Sequence, residues 1–388
     1  MHRNFAVTLF AFLILPAASA AQQPAPKPEP VTLKAPDGLT LKASYFSPGR
    51  PGPGILLLHQ CNRDRTSWND LAANAAVRGY HVLALDYRGY GESEGQRFED
   101  FQEQQPVVEQ KWPGDIDAAF AWLVRKEGVD KDRIAAAGAS CGVNQSMLLA
   151  RRHPEVKTIV LLSGNSTPAG REYLRDTPGL PVFAAASVDD GNAVAGMKWL
   201  LRWSRNKDNK FVEYRAAGHG TDMFDVEKGL QPAILDWFDA RLRTAPPVLP
   251  KPTAPVAPTP EEEFWTALTS RGGVERARQI FKEQRARNPE RVLFPEGEAN
   301  LHGYSLLQAG NVKDAIAVFE LNVEAYPTSA NTYDSLADAH LAADNREDAL
   351  RFSEKALEML PADKNAPEEF KQLVRESAER KIQQLRKK

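Results

Sequence analysis

Between residues 31 and 243, short and almost wholly apolar runs alternate with stretches whose apolar positions return every three to four residues. The segments 31–35 and 39–45 flank Asp37-Gly38, a hairpin signal. Apolar runs follow at 54–58, 81–85, 134–137, 158–162, 182–186 and 211–214. Runs of this length and apolarity suit strands buried on both faces of a parallel sheet. Helical periodicity occupies 67–77, 116–124 and 226–242, among other intervals. The pattern predicts an α/β architecture, with eight strands in a mostly parallel, doubly wound sheet. In such sheets chemistry gathers beyond the carboxyl ends of the strands.

The flanks read differently. Arg3, an apolar run over 5–15 and Ala18-Ser19-Ala20 have the layout of a signal peptide spanning 1–20. The run is shorter than the roughly 20 apolar residues a membrane span needs. The expectation is an exported protein, periplasmic or secreted, cleaved near Ala20 and without a membrane span once mature. Residues 21–30 form a proline-rich spacer. Seven prolines between 246 and 260 forbid a central strand or helix interior, so 244–260 reads as an extended linker. It separates a body (31–243) from a tail (261–388).

The tail repeats at a period of 34. Pro327 is matched by Pro361, Ala315 by Ala349, Gly303 by Ala337 and Phe319 by Ser353. Ala277, Phe281 and Pro289 make an earlier partial unit, and 368–385 reads as a polar-faced capping helix. The period resembles the tetratricopeptide repeat, a helix–turn–helix unit that implies a small all-α helical-repeat domain. Such a tail is either a groove for a protein partner or a packing appendage.

Composition narrows the function. With 49 basic against 51 acidic side chains among 388 residues, the chain has no electrostatic footprint for nucleic acid. Two cysteines, Cys61 and Cys141, are too few for a disulfide scaffold or a four-cysteine zinc module. Gly89, Gly91 and Gly95 lack the lysine and spacing of a phosphate loop and read as a tight turn. No metal or organic cofactor is implied.

The run 134–137 leads into Gly138-Ala139-Ser140-Cys141-Gly142 and then a helical pattern. This is G-x-S-x-G between strand and helix, a context that lifts a serine hydroxyl above the sheet. Cys141 lies one position past the apex and is the weaker nucleophile candidate. Serine needs a base. Of seven histidines, His219 stands between two glycines just after the last strand, and is the candidate. His59, His81 and His153 read as structural. An acid that orients His219 should follow the strand 182–186, where Asp189 and Asp190 lie. Asp190 fits the position better; Asp189 reads as a turn or cap residue and remains the alternative. The oxyanion hole should combine the amide of Cys141 with one from the loop after the third strand. Cys61 is the first choice there and Gln60 the second.

Taken together, the elbow, the Asp189-Asp190 turn, the Gly218-His219-Gly220 loop, Leu57-Leu58-His59-Gln60 and the 86–93 segment (Asp86 to Ser93) resemble the α/β-hydrolase superfamily, nearest to dienelactone-hydrolase-like and small serine esterase members. The resemblance implies a serine hydrolase cleaving small-molecule esters or related acyl bonds, with Ser140, Asp190 and His219 as triad and Cys61 and Cys141 as oxyanion donors. Dienelactone hydrolases proper carry cysteine where Ser140 stands, which favours a plain esterase. Two rivals are a non-catalytic scaffold acting through the repeats and a prolyl-oligopeptidase-like peptidase. The polar segment 94–112 is expected to be a solvated loop or a short lid, and with no cap domain in view, access to the site should be open. If both cysteine amides face one oxyanion, their Cα atoms lie within disulfide range, and a Cys61–Cys141 bridge is the corresponding expectation.

Overall fold

The computed structural model of the chain describes residues 26–98, 101–244, 257–270, 272–364 and 366–387. The expected signal peptide and most of the proline-rich linker lie outside these residues. Eight strands form one sheet: β1 (Glu29–Lys34), β2 (Thr40–Phe46), β3 (Gly52–Leu58), β4 (His81–Leu85), β5 (Val129–Ala139), β6 (Val156–Leu162), β7 (Val182–Ser187) and β8 (Lys210–Tyr214). Their spatial order is β1-β2-β4-β3-β5-β6-β7-β8. The β1–β2 and β2–β4 pairs are antiparallel and the rest parallel. Each apolar run of the sequence is a strand. β5 begins five residues earlier than its pattern suggests, because the polar stretch 130–133 masks its start and a register shift at Pro53/Gly54 accommodates it.

Alternation along the strands divides the core in two. Ile55 and Leu57 face α1 (Asn69–Val77) and share a cluster with Leu71 and Ala75. Leu56 and Leu58 face the opposite way. There, past α2 (Phe101–Gln110), lie α3 (Trp112–Arg125), α4 (Cys141–Arg152), α5 (Pro168–Asp176) and α6 (Ala193–Trp203). After β8, α7 (Met223–Val226) and α8 (Leu230–Phe238) return to the first face, and a π turn over Asp239–Arg243 ends the body. The segment expected to be loop or lid is partly helical, and Trp112 is core: it is fully buried and stacked on Tyr87 at 3.9 Å.

The tail is all helix: α9 (Pro260–Leu268), α10 (Val274–Arg287), α11 (Glu296–Gln308), α12 (Val312–Ala325), α13 (Ala330–Ala342), α14 (Arg346–Met359) and α15 (Glu368–Arg386). α13 repeats α11, and α14 repeats α12, with both ends displaced by 34 residues (296 to 330, 308 to 342, 312 to 346, 325 to 359). Within the first pair, a Cβ on Gly303 would stand 2.5 Å from the Phe319 ring. In the second pair Ala337 and buried Ser353 occupy the same places, so a large side chain and a small one exchange volume between units. α9 opens on a capping box, Thr259 with Glu262.

The tail is docked on the body. One apolar cluster runs from the sheet through Trp199 and Trp203 of α6 into Phe264, Trp265 and Leu268 of α9, and on to Phe281 and Phe294. Trp199 meets Trp265 at 5.1 Å between ring centroids. Arg205 closes the rim with a 2.9 Å ion pair to Glu262. The tail also supplies one wall of a cavity beyond the carboxyl ends of the strands, a neighbour that the expectation of open access did not include. The hydropathy pattern marks each surface as apolar without saying that the two match. Truncating Trp265 to alanine removes the central contact and should cost about 3–5 kcal/mol, read as a lower urea midpoint. An unchanged midpoint would show that this docking contributes little to stability.

Candidate active site

β5 ends at Ala139 and α4 begins at Cys141, so the chain reverses direction at one residue. Ser140 takes φ 52°, ψ −116° there, a left-handed conformation that costs a non-glycine residue about 1–3 kcal/mol. Its amide is tied to the Leu162 carbonyl at 2.8 Å. The flanking glycines are required by contact. A Cβ on Gly138 would lie 2.0 Å from the Gly142 carbonyl oxygen, and one on Gly142 would lie 2.4 Å from the Leu58 carbonyl oxygen. The turn thus presses α4 against the end of β3 and exposes the Ser140 hydroxyl above it.

The loop after β3 is held by its own side chains. Buried His59 donates from Nδ1 to the Gln60 carbonyl at 2.8 Å and accepts the Tyr87 amide at Nε2, 3.2 Å away. Burial pushes its pKa down, in keeping with a neutral structural ring. Gln60, weighed as a second oxyanion donor, spends its side chain otherwise. Its Oε1 accepts from the Thr221 amide at 2.7 Å and the Thr221 hydroxyl at 2.9 Å, strapping the β3 loop to the histidine loop. Cys61 and Cys141 are joined by a disulfide, with Cα atoms 5.9 Å apart. Among the described residues, neither of their amides donates to a carbonyl outside a helix.

The two aspartates after β7 divide their work. Asp190 Oδ2 accepts from His219 Nδ1 at 2.7 Å. Asp189 accepts from the Ser187 hydroxyl and from the amides of Ala217 and Gly218, each amide at 3.3 Å. It is therefore a strut for the histidine loop from within the turn after β7, as its turn reading expected, and Asn192 holds the N-cap position of α6 without a side-chain cap bond. Those hydrogen bonds hold the Asp189 carboxyl below its ordinary pKa. The bond to Asp190 raises the His219 pKa above 6.5, against the opposing pull of burial.

Ser140, His219, Asp190, Cys61 and Cys141 line one cavity of about 420 Å³. No hydrogen bond joins Ser140 to His219 among the described residues; catalytic contacts of this kind often tighten only around a substrate. The opposite wall comes from the tail: Pro295, Gly297, Glu298 and Leu301. Sequence reasoning missed these four, since Glu298 on a repeat helix reads as one more solvated carboxylate. A larger, polar groove of about 1060 Å³, lined by Asn62, Arg63 and Asp222 among others, holds none of the triad candidates.

Residues 37–223 match the family described as X-Pro dipeptidyl-peptidase (S15 family). An uncharacterized protein of Mycobacterium tuberculosis is 31% identical over 148 residues, 38% of this chain and 48% of the relative. A thiohydrolase of Arthrinium phaeospermum is 26% identical over 202 residues, 52% of this chain and 60% of the relative. The chain thus spans about half the length of the curated relatives it matches. Among solved structures, an esterase of Pyrococcus furiosus aligns with TM-score 0.46 and 15% identity, covering 56% of this chain and 94% of that one. A dienelactone hydrolase of Anabaena variabilis aligns with TM-score 0.45 and 17% identity, covering 56% and 100%. Strand order, elbow and loop placement define the class: the body has the α/β-hydrolase fold.

NMR titration of His219 should give a pKa above 6.5 that falls in Asp190→Asn, where the main cause of the shift is gone. The folded protein then binds this proton more tightly than the unfolded chain. The contribution to stability is complete below pH 6.5 and fades as pH rises through the folded value. A value at or below 6.5 in the parent protein would contradict the pairing.

Proposed function

We propose that this chain is an exported serine hydrolase that cleaves esters or related acyl bonds through an acyl-enzyme intermediate. The observation that carries the reading is the 2.7 Å Asp190–His219 pair sharing a cavity with Ser140 at a strained elbow. Ser140 attacks the carbonyl, and His219 takes its proton and returns it to the leaving group. Asp190 holds the ring in the right tautomer and stabilises the imidazolium. The Cys61 and Cys141 amides receive the oxyanion; such donors contribute about 3 kcal/mol each to the transition state. The disulfide braces the two donors, and an oxidising compartment suits it.

Purified protein should hydrolyse p-nitrophenyl butanoate and take up a fluorophosphonate probe. Ser140→Ala should abolish labelling and lower kcat/KM by roughly 10³-fold or more. A parent protein that neither turns over nor labels sinks the reading. Reduction with dithiothreitol should lower kcat with little change in KM, because the bridge steadies a transition-state contact. Titration of the denatured, unreduced protein should find no free thiol, and two thiols would rule the bridge out.

The family match favours a second reading, a peptidase acting after proline. Release of p-nitroaniline from Ala-Pro-p-nitroanilide faster than ester turnover would select it. For the tail, the 34-residue helix pairs support a tetratricopeptide-type unit, which leaves partner binding open on the faces turned away from the body.

A further inference from the structure

The catalytic cavity contains a carboxyl group that the triad does not use. Glu298 of α11 is 8% exposed, yet it lines the cavity with Ser140 and His219. Among the described residues its carboxylate makes no hydrogen bond. The nearest cation, Arg171 of α5, stands 3.9 Å away, beyond hydrogen-bond range. Arg171 is itself 3% exposed and stacked among Trp199, Trp203 and Trp265 at 4.9, 5.8 and 5.1 Å. It donates to the Ser166 carbonyl and leaves Nε without a partner. A pair serving only to fasten the tail would be closed by hydrogen bonds. The same interface holds one that is: Arg205 reaches both carboxylate oxygens of Glu262 at 2.9 Å.

Glu298 also stands at a junction. With Cys141, Asn165 and Leu301 it lines both the catalytic cavity and a second cavity of about 310 Å³ between α4, α5 and the tail. The half-exposed Leu301 (46%) lends the passage an apolar wall. Gly297 brings the helix this close: a Cβ there would lie 3.0 Å from Asn192 Nδ2, two residues beyond Asp190.

We propose that Glu298 is a specificity-determining residue that accepts a hydrogen bond from a hydroxyl or amide N–H on the substrate, making the helical tail one wall of the substrate site. The proposal rests on the hydrolase reading and adds the substrate's chemistry to it. The Glu298 carboxylate faces the cavity without a protein donor, so a bound group there can supply the hydrogen bond that the protein does not. Arg171 disfavours a cationic group beside Glu298, and Glu298 disfavours an anionic one. The fitting substrate is therefore neutral, carries a donor a few atoms from the scissile bond, and extends along Leu301. Burial raises the Glu298 pKa to about 7, opposed by the charge of Arg171.

Two matched ester pairs test this. One is p-nitrophenyl butanoate and its 3-hydroxybutanoate analogue; the other is propyl butanoate and glyceryl monobutanoate. The parent protein should prefer the hydroxylated member of at least one pair, by roughly tenfold or more in kcat/KM. Glu298→Leu should reduce that ratio to near one, chiefly by lowering kcat/KM for the hydroxylated ester. Glu298→Gln keeps an acceptor oxygen and should retain part of the preference. A merely structural role would slow both members of a pair alike. The inference is overturned by a parent without preference in either pair, or by a preference that survives in Glu298→Leu. Absence of any turnover together with failed fluorophosphonate labelling would instead overturn the hydrolase reading beneath it.

Discussion

The close approach of α4 to the end of β3 is the constraint from which the site follows. It exists because Gly142 lacks a side chain where the Leu58 carbonyl needs the space. That approach puts the first amides of α4 beside the loop after β3, and so brings Cys141 within disulfide range of Cys61. It also forces the reversal at Ser140 into a left-handed conformation. The surrounding sheet sustains this strain: Ser140 is anchored to β6 through Leu162, and β3, β5 and β6 are buried on both faces over their inner residues.

Around that anchor the polar groups work as struts. Gln60 reaches Thr221, and Asp189 reaches the amides of Ala217 and Gly218, so the histidine loop is tied at both sides of His219. Two adjacent aspartates come to differ in function because successive residues leave a strand end in different directions. One meets amides and a hydroxyl; the other meets the imidazole. Both carboxylates are satisfied, and of the two it is Asp190 that bonds His219 and raises its proton affinity, with Asp222 adding a smaller pull.

The tail changes what the site is. A body of this fold without its neighbour would present Ser140, Asp190 and His219 at the open carboxyl end of the sheet. Here the tryptophans of α6 are buried against α9, and α11 is carried over the cavity mouth. Docking and access to the cavity are thereby linked through the same helices. The repeat period keeps α11 in register with α13, while Gly297 and Glu298 turn to the body instead of to the stack.

Much of this was legible in the chain. Eight apolar runs specified eight strands, because burial on both faces leaves a continuous signal, and the elbow and the Gly218-His219-Gly220 loop carried turn chemistry that few other contexts require. The 34-residue spacing set the helix pairs of the tail, since each unit must bury the same stripe against the next. The polar start of β5 escaped, because its residues 130–133 follow no apolar pattern at a sheet end. Sequence position favoured Asp190 over Asp189, but tertiary structure alone decided that Gln60 is a strut and that Glu298 enters the cavity. Each depends on the direction of one side chain relative to a surface remote in sequence. Local periodicity records which face a residue lies on, and it holds no information about what that face will meet.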